Sequence, residues 1–319
     1  AAAAPGRRGA RNWPMSEAVL AAPAVRARGH GEALAAWLLS LPAVIAYVLM
    51  ILLPTLAAVA MAFTDYELGA EGFHWVGLDN FAELLSDRGF AQSVRNTLVY
   101  VGLTTPVSVL GGLGLAVLIE SGLRGRAFFR AVFFLPVVSL AVAMAAAWQY
   151  LLHPTIGPLN AMLRTVGLPG PAWLSSSDTV LLSLAAIGSW ENLGFNMVLF
   201  MAGLTAIPRE LYAAAEVDGV PSAWERFRLV TWPLLGPTTL FVLTITMIRA
   251  LTRSFDLVAV LTQGGPNNAS NVLLYKLYEE GFTYFRLGYA AAVTLVFLAI
   301  VLTLMWLQTR FLDRQVHYG

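Results

Sequence analysis

Six long apolar runs dominate the chain, each separated from the next by a polar segment. They cover residues 33–64, 96–119, 131–152, about 179–207, 229–248 extending to about 255, and 287–309. A helix needs roughly 20 apolar residues to cross the hydrocarbon of a bilayer. The pattern therefore predicts an all-α integral membrane protein with six spans. Pro42, Pro54, Pro106 and Pro136 fall inside the runs. A packed bundle tolerates them, because neighbouring helices re-satisfy the freed carbonyls. Spans four and five are the least uniform, since they contain Glu191 and Arg249.

One polar segment is rich in local signals: IPRELYAAAEVDGVPSAWERFRLVTWP, residues 207–233. Pro208 suits the first turn of a helix, where its missing N–H costs nothing, and Glu210 then favours the positive end of the helix dipole. The stretch Glu210–Glu216 is built from strong helix formers apart from Tyr212. Gly219, after Asp218, is a stop that adopts the left-handed conformation without strain. Ser222 and Glu225 have the spacing of a capping box that opens a second helix. The segment is predicted to be a short helix, a glycine turn and a second short helix, with Pro233 at the entry to span five. These residues alone leave two readings open. One is an amphipathic connector lying on the membrane surface. The other is a docking surface for a cytoplasmic partner, with Tyr212, Trp224 and Phe227 as anchors.

Basic residues set the orientation. Arg7, Arg8, Arg11, Arg26 and Arg28 precede span one; Arg124, Arg126 and Arg130 follow span two. Arg209, Arg226 and Arg228 lie in the 207–233 segment, and Arg310 and Arg314 end the chain. These alternate loops share one side. The opposite loops hold only Arg88, Arg95, Arg164, Lys276 and Arg286 over longer lengths, and residues 65–95 are mainly acidic. Both termini and the 207–233 segment are thus expected in the cytoplasm. The division that follows is a cytoplasmic tail over 1–32, a membrane domain over 33–312 and a cytoplasmic tail over 313–319. The first thirty residues, rich in Ala and Arg, are expected to be disordered. Arg7-Arg8 is not read as a twin-arginine signal, because no short apolar region with a small-residue cleavage site follows. Met15 is a candidate initiator.

Composition narrows the function. The chain is 58% hydrophobic and 12% charged, with a mean hydropathy of +0.68; soluble domains carry about 25% charged residues. A formal net charge of +1 argues against a nucleic-acid partner. With no cysteine, disulfides, thiolate metal sites and cysteine nucleophiles are excluded. His30, His74, His153 and His317 are far apart, so no metal site is expected. Gly264-Gly265 lacks the lysine of a phosphate-binding loop and reads as a turn.

The segment IPRELYAAAEVDGVPSAWERFRLVTWPLLGP resembles the EAA loop of binding-protein-dependent ABC transporter permeases. The family pattern is matched at Ile207, Pro208, Glu210, Leu211, Ala214, Ala215, Asp218, Gly219, Trp224, Phe227, Pro233, Leu235 and Pro237. It departs at Ala213, where the family usually has Glu, and at Val220, where it usually has Ala. FHWVGLDNF, FFRAVFFLPVVS, WQYLLHPTIGPLN, GFNMVLFMAGLTAIP, FDLVAVLTQGGPNNAS and LGYAAAVTLV are also similar to the family, in order and in spacing. The subtype resembled is the carbohydrate permease of sugar and glycerol-phosphate importers, the first of two paired subunits.

That resemblance implies a transport subunit of the prokaryotic cytoplasmic membrane rather than an enzyme. It implies a second permease, a dimer of ATPase subunits and an extracytoplasmic solute-binding protein as partners. ATP and Mg²⁺ would sit on the ATPase, with no cofactor on this chain. Coupling to the ATPase would fall on Glu210, Leu211, Tyr212, Ala213, Ala214, Ala215, Glu216, Asp218, Gly219, Trp224 and Phe227. Glu216, three positions after Ala213, is a candidate substitute for the missing acid. In a prokaryotic family the glycosylation pattern Asn268-Ala269-Ser270 is a chance match.

A solute path between paired permeases directs attention to SWENLGFN, residues 189–196. Trp190 is placed to stack on a sugar face or to pack against a neighbour. Asn192 and Asn196 are placed to bond hydroxyls or to join helices. Glu191 is costly to bury, so function or pairing is expected of it. Trp148 and Gln149 near the outer end of span three complete the set. Counting from Pro208 and Pro233, Glu191 and Arg249 both stand about 24–26 Å above the cytoplasmic boundary. They are predicted to face the path or each other, with Arg253 as the second choice of partner. Two other classes fit the sequence less well. A secondary transporter would show acid relays or an inverted repeat, and a membrane enzyme would show a nucleophile–base set or metal ligands; neither pattern is present.

Overall fold

The computed structural model describes residues 30–122, 124–220 and 222–312. The expected tail regions 1–29 and 313–319 lie outside the described residues. Contacts divide the chain into two units, residues 1–55 and 56–319. The first contains helix α1 (His30–Tyr47), a π-helical turn (Val48–Leu52) and the start of α2 (Leu53–Met61). Its helix begins at His30, ahead of the apolar run.

The second unit is helical as well; among the described residues the only pairing of extended backbone is an isolated bridge between Thr64 and Trp75. It contains α3 (Asp79–Ser86), α4 (Arg88–Glu120), α5 (Arg126–Val138), α6 (Ala141–Leu151), α7 (Pro158–Thr165) and α8 (Val180–Thr205). After these come α9 (Arg209–Val217), α10 (Ala223–Arg226), α11 (Trp232–Leu234), α12 (Gly236–Leu261), α13 (Leu273–Tyr278) and α14 (Leu287–Leu312). Among the described residues, three helices are long and apolar enough to cross a membrane, or up to six if each bent pair forms one span.

Three elements depart from the apolar pattern. The expected second span starts at Arg88 instead of 96, because the Asp87 carboxylate accepts from the Gly89 N–H at 2.7 Å and caps two polar turns. The expected third span, 131–152, is not one helix: α5 and the helix from Val142 to Leu151 meet at 106°. Pro136 removes an N–H and clashes with the preceding turn. Backbone at Ser139 and Leu140 is then extended, while the Ser139 hydroxyl satisfies the Leu135 carbonyl at 2.8 Å. The fifth run is bent by 69° at the break before Gly236.

Helix α8 is the centre of the bundle. Val180, Leu184, Ile187, Met197 and Phe200 are buried on it, against α4, α5 and α12. Gly194 allows the closest approach. A Cβ there would run into the backbone carbonyl of Phe133 on α5.

At the opposite end of the chain's helices from α9, charges fasten α3 and α4 to α13 and α14. Lys276 Nζ lies 2.8 Å from Glu280 Oε1 and 3.4 Å from Asp87 Oδ2. Arg286 Nη2 donates to both carboxylate oxygens of Glu83, at 2.6 and 2.7 Å, and the Tyr289 hydroxyl donates to Asp87 at 2.8 Å. Burial opposes ionisation of Asp87, yet the Tyr289 hydrogen bond and the Lys276 charge hold its carboxyl below 3.8. Burial also works against the Lys276 charge, but Glu280 and Asp87 raise the amine above 10.5. A depressed Asp contributes stability that is present above its unfolded value and lost as pH falls through the folded one. A raised Lys contributes below its unfolded value and loses it as pH rises through the folded one. Both contributions are present together from above the usual aspartate range to below the usual lysine range. Thermal unfolding of the detergent-solubilised protein is expected to show a plateau from this network across that window. Lys276→Met is expected to lower the plateau by about 1–3 kcal/mol, since it leaves the buried Glu280 with Arg286 alone, at 3.5 Å.

Candidate functional site

Two regions hold the residues singled out from the sequence. The first is the hairpin of α9 and α10. Its turn is a Schellman motif: Val220 N–H donates to Ala215 O at 3.0 Å and Gly219 N–H to Glu216 O at 3.2 Å. Gly219 has φ +79°, a conformation that side chains with a Cβ adopt poorly. Pro208 occupies the position just before the first helical residue rather than the first turn itself. Ser222 precedes α10, but its hydroxyl makes no capping bond, so the predicted capping box is not formed.

Two side-chain bonds close the hairpin. Arg226 Nη1 donates to Glu216 Oε1 at 3.2 Å, and the Tyr212 hydroxyl lies 3.0 Å from Thr231 Oγ1. Phe227 stacks beneath Trp224 with centroids 5.7 Å apart. The three aromatics therefore divide: Tyr212 and Phe227 are half-buried, packed against the α4–α8 core, and Trp224 is exposed. Ala215 is buried; Glu210, Leu211, Ala213, Ala214, Asp218 and Gly219 form the open face. A cavity of about 340 Å³ lies behind the hairpin, bounded by Glu120, Ser121, Tyr212, Arg226 and Phe227 among others. Glu216→Ala is expected to change transport less than twofold, because an exposed pair with Arg226 contributes about 0–1 kcal/mol. An uptake assay checks this.

The second region is the middle of α8. Asn192, Asn196 and Glu191 are buried there, at 1%, 0% and 6% exposure. Of the two arrangements expected for Glu191 and Arg249, direct pairing with each other is not formed. Arg249 Nε donates to Asn192 Oδ1 at 2.9 Å, and no ion pair within 4.0 Å joins Glu191 to Arg249. Residues 191 and 192 point about 100° apart on a helix, and it is Asn192 that faces Arg249. The Arg249 guanidinium also covers the Phe195 ring, 4.3 Å from its centroid. One turn on, Thr246 Oγ1 donates to Val242 O at 2.6 Å and lies 2.7 Å from the side-chain amide of Asn196, and Asn192 Nδ2 donates to Gly188 O at 2.8 Å. The result is a polar ladder between α8 and α12, set within apolar helices.

Thr246 and Phe195 were not legible as members of this ladder. Thr246 lies three residues before Arg249, on the same face of α12, which is the one signal that could have found it. Trp148 and Trp190 meet edge to face, 5.4 Å apart. Gln149 is exposed and stands apart from the ladder.

Residues 81–317 match the family described as a binding-protein-dependent transport system inner membrane component. The chain belongs to that family. The permease is 32% identical to the sn-glycerol-3-phosphate transport system permease protein UgpA of Agrobacterium fabrum, over 89% of this chain and 96% of that one. It is 33% identical to the probable ABC transporter permease protein YurN of Bacillus subtilis, over 86% and 94%. Its fold is that of a chain of a bacterial ABC transporter involved in the import of the acidic polysaccharide alginate, with a TM-score of 0.78. That match covers 89% of the permease and 96% of the alginate transporter chain at 22% identity. The family resemblance carried by the 207–233 segment is borne out.

Proposed function

We propose that this permease forms, with a second permease, the translocation path of an ATP-driven importer for a sugar delivered by an extracytoplasmic binding protein. The observation that carries the reading is the ladder Asn196–Thr246 and Asn192–Arg249, because polar groups inside membrane helices are retained where they pair or serve a path. The chain is taken to cross the inner membrane six times, α5 and α6 together forming the third span and α8 and α12 the fourth and fifth, with both termini in the cytoplasm. The α9–α10 hairpin is the surface on which an ATPase subunit docks; Trp224 and the small open face of Ala213 and Ala214 suit close approach. ATP and Mg²⁺ are held by that subunit.

Glycerol 3-phosphate is the second reading, favoured by the relative from Agrobacterium fabrum. A tagged chain is expected to co-purify with an ATPase and a second permease. Proteoliposomes of that complex are expected to take up solute only with ATP inside and a binding protein outside. Uptake without either, or purification of the chain alone from membranes that contain its partners, overturns the proposal. Competition between labelled sugar and glycerol 3-phosphate separates the two readings.

A further inference from the structure

The end of α8 remote from the hairpin borders a cavity of about 270 Å³, separate from the ladder. Trp148 and Leu152 wall it at the end of α6, Trp173 in the loop before α8, and Leu182, Ala186 and Ile187 on α8 itself. Leu182 and Ala186 are exposed, as is Leu159 on α7, so the cavity opens sideways, across the axis of α8. A buried amide fixes its shape. Asn160 on α7 has no exposed surface; its Nδ2 donates to the carbonyls of Pro154 and Pro171, both at 3.0 Å, and its Oδ1 accepts from Trp173 Nε1 at 2.7 Å. α7 and Trp173 are thereby clamped together, and the cavity is formed before any ligand arrives.

The lining decides what fits. The Thr179 hydroxyl lies 3.0 Å from the Ala172 carbonyl, and the Ser183 hydroxyl 2.9 Å from that of Thr179. With Trp173 Nε1 held by Asn160, these donors are all spent within the chain, and Trp148 Nε1, which has no partner, is buried. A sugar would bring hydroxyls to a site with no accessible donor left, at a cost for each one unpaired. An acyl chain brings none. Length agrees: from Thr179 to Ile187 is eight residues, about 12 Å of helix rise, against the roughly 15 Å depth of one leaflet's hydrocarbon. Trp173, at the loop end, stands where tryptophans meet the headgroups. The mouth continues into exposed apolar surface along α7, through Met162 and Val166. On a protein of the inner membrane such surface is what the bilayer covers.

We propose that this cavity holds one acyl chain of a phospholipid from the leaflet away from the hairpin, its glycerol end beside Trp173 and its methyl end toward Ile187. The proposal rests on the reading of α8 as a membrane span. The occupant also supports the solute path from behind, because Trp148 meets Trp190 edge to face at 5.4 Å, next to Glu191.

The test uses the transporter assembled from this chain, its second permease and its ATPase, in nanodiscs of phosphatidylcholine with brominated or unbrominated acyl chains. Bromine quenches the emission of a tryptophan it touches, and the difference between the parent and Trp173→Phe isolates Trp173. Most of that emission is expected to be lost in the brominated lipid. Ala186→Phe fills the cavity from its exposed side and is expected to restore most of it; Ala186→Leu is expected to restore part. A second measurement needs no change at Trp173: mass spectrometry of the intact complex is expected to find one phospholipid fewer for each Ala186→Phe chain. Co-assembly with the partner subunits separates a filled cavity from a misfolded chain. Trp173 left unquenched in the assembled complex overturns the proposal, the second permease then covering the cavity. Quenching and lipid count both unchanged in Ala186→Phe overturn it as well, since contact with bulk lipid would suffice. So does Trp173 emission that responds to galactose and not to brominated lipid. Trp306, exposed on α14, is the reference: if brominated lipid spares Trp306 too, the membrane reading falls and the proposal with it.

Discussion

Gly194→Ala is expected to destabilise the permease by about 3 kcal/mol or more and to cut the yield of folded protein several-fold. Overpacking of a filled core costs roughly 1–3 kcal/mol when side chains can adjust. Here the obstacle is the carbonyl oxygen of Phe133 on α5, which is backbone and cannot rotate away. Relief requires α5 to move from α8, and that opens the packing around Phe133. Thermal unfolding in detergent checks the result. Gly114→Ala is the control: it lies in the interior of α4 with nothing within 4 Å of an added Cβ. It is expected to be neutral or slightly stabilising, since alanine favours helix over glycine.

Gly219→Val is expected to leave insertion and folding of the permease largely intact while reducing solute-stimulated ATP hydrolysis at least about tenfold. A β-branched residue at φ +79° carries about 1–2 kcal/mol of backbone strain. Space is not the obstacle, because nothing lies within 4 Å of an added Cβ. The strain is relieved by rotating the turn, which breaks the two bonds from Val220 and Gly219 and swings α10 relative to α9. In the proposed reading that pair of helices is the ATPase dock. Gly219→Asn is expected to be milder, as asparagine tolerates the left-handed region. Normal stimulated hydrolysis by the reconstituted Gly219→Val complex would refute the assignment.

The sequence shows where apolar length is sufficient and where helices stop, because both are local properties. The hairpin at 207–233 was legible for that reason: Pro208 and Gly219 each impose a backbone geometry on their own. The break at Ser139 and Leu140 was not. Hydropathy reports depth in an apolar medium but not chain direction, and Pro136 inside a run is compatible with either a kink or a turn. The partner of Arg249 was missed by a single residue. Height along a helix can be counted from its ends, but azimuth depends on how α8 and α12 are rotated against each other, which only packing decides. Tyr212 and Phe227 illustrate the same limit. Their type suggested anchors for a partner, and the contact of the hairpin with the ends of α4 and α8 turned both inward.

The tight approach at Gly194 also sets a mechanical ratio. Asn192 lies two residues from that contact and Thr205, at the hairpin end of α8, eleven residues from it. At a rise of 1.5 Å per residue the two arms are about 3 Å and about 16 Å. If α8 tilts about this contact, a stroke of about 5 Å at the hairpin displaces Asn192 by only about 1 Å. The ladder sits near a fulcrum. Large excursions at the hairpin end would reach it as small, geared-down adjustments, of the size that makes or breaks a hydrogen bond without dismantling the helix pair that presents it.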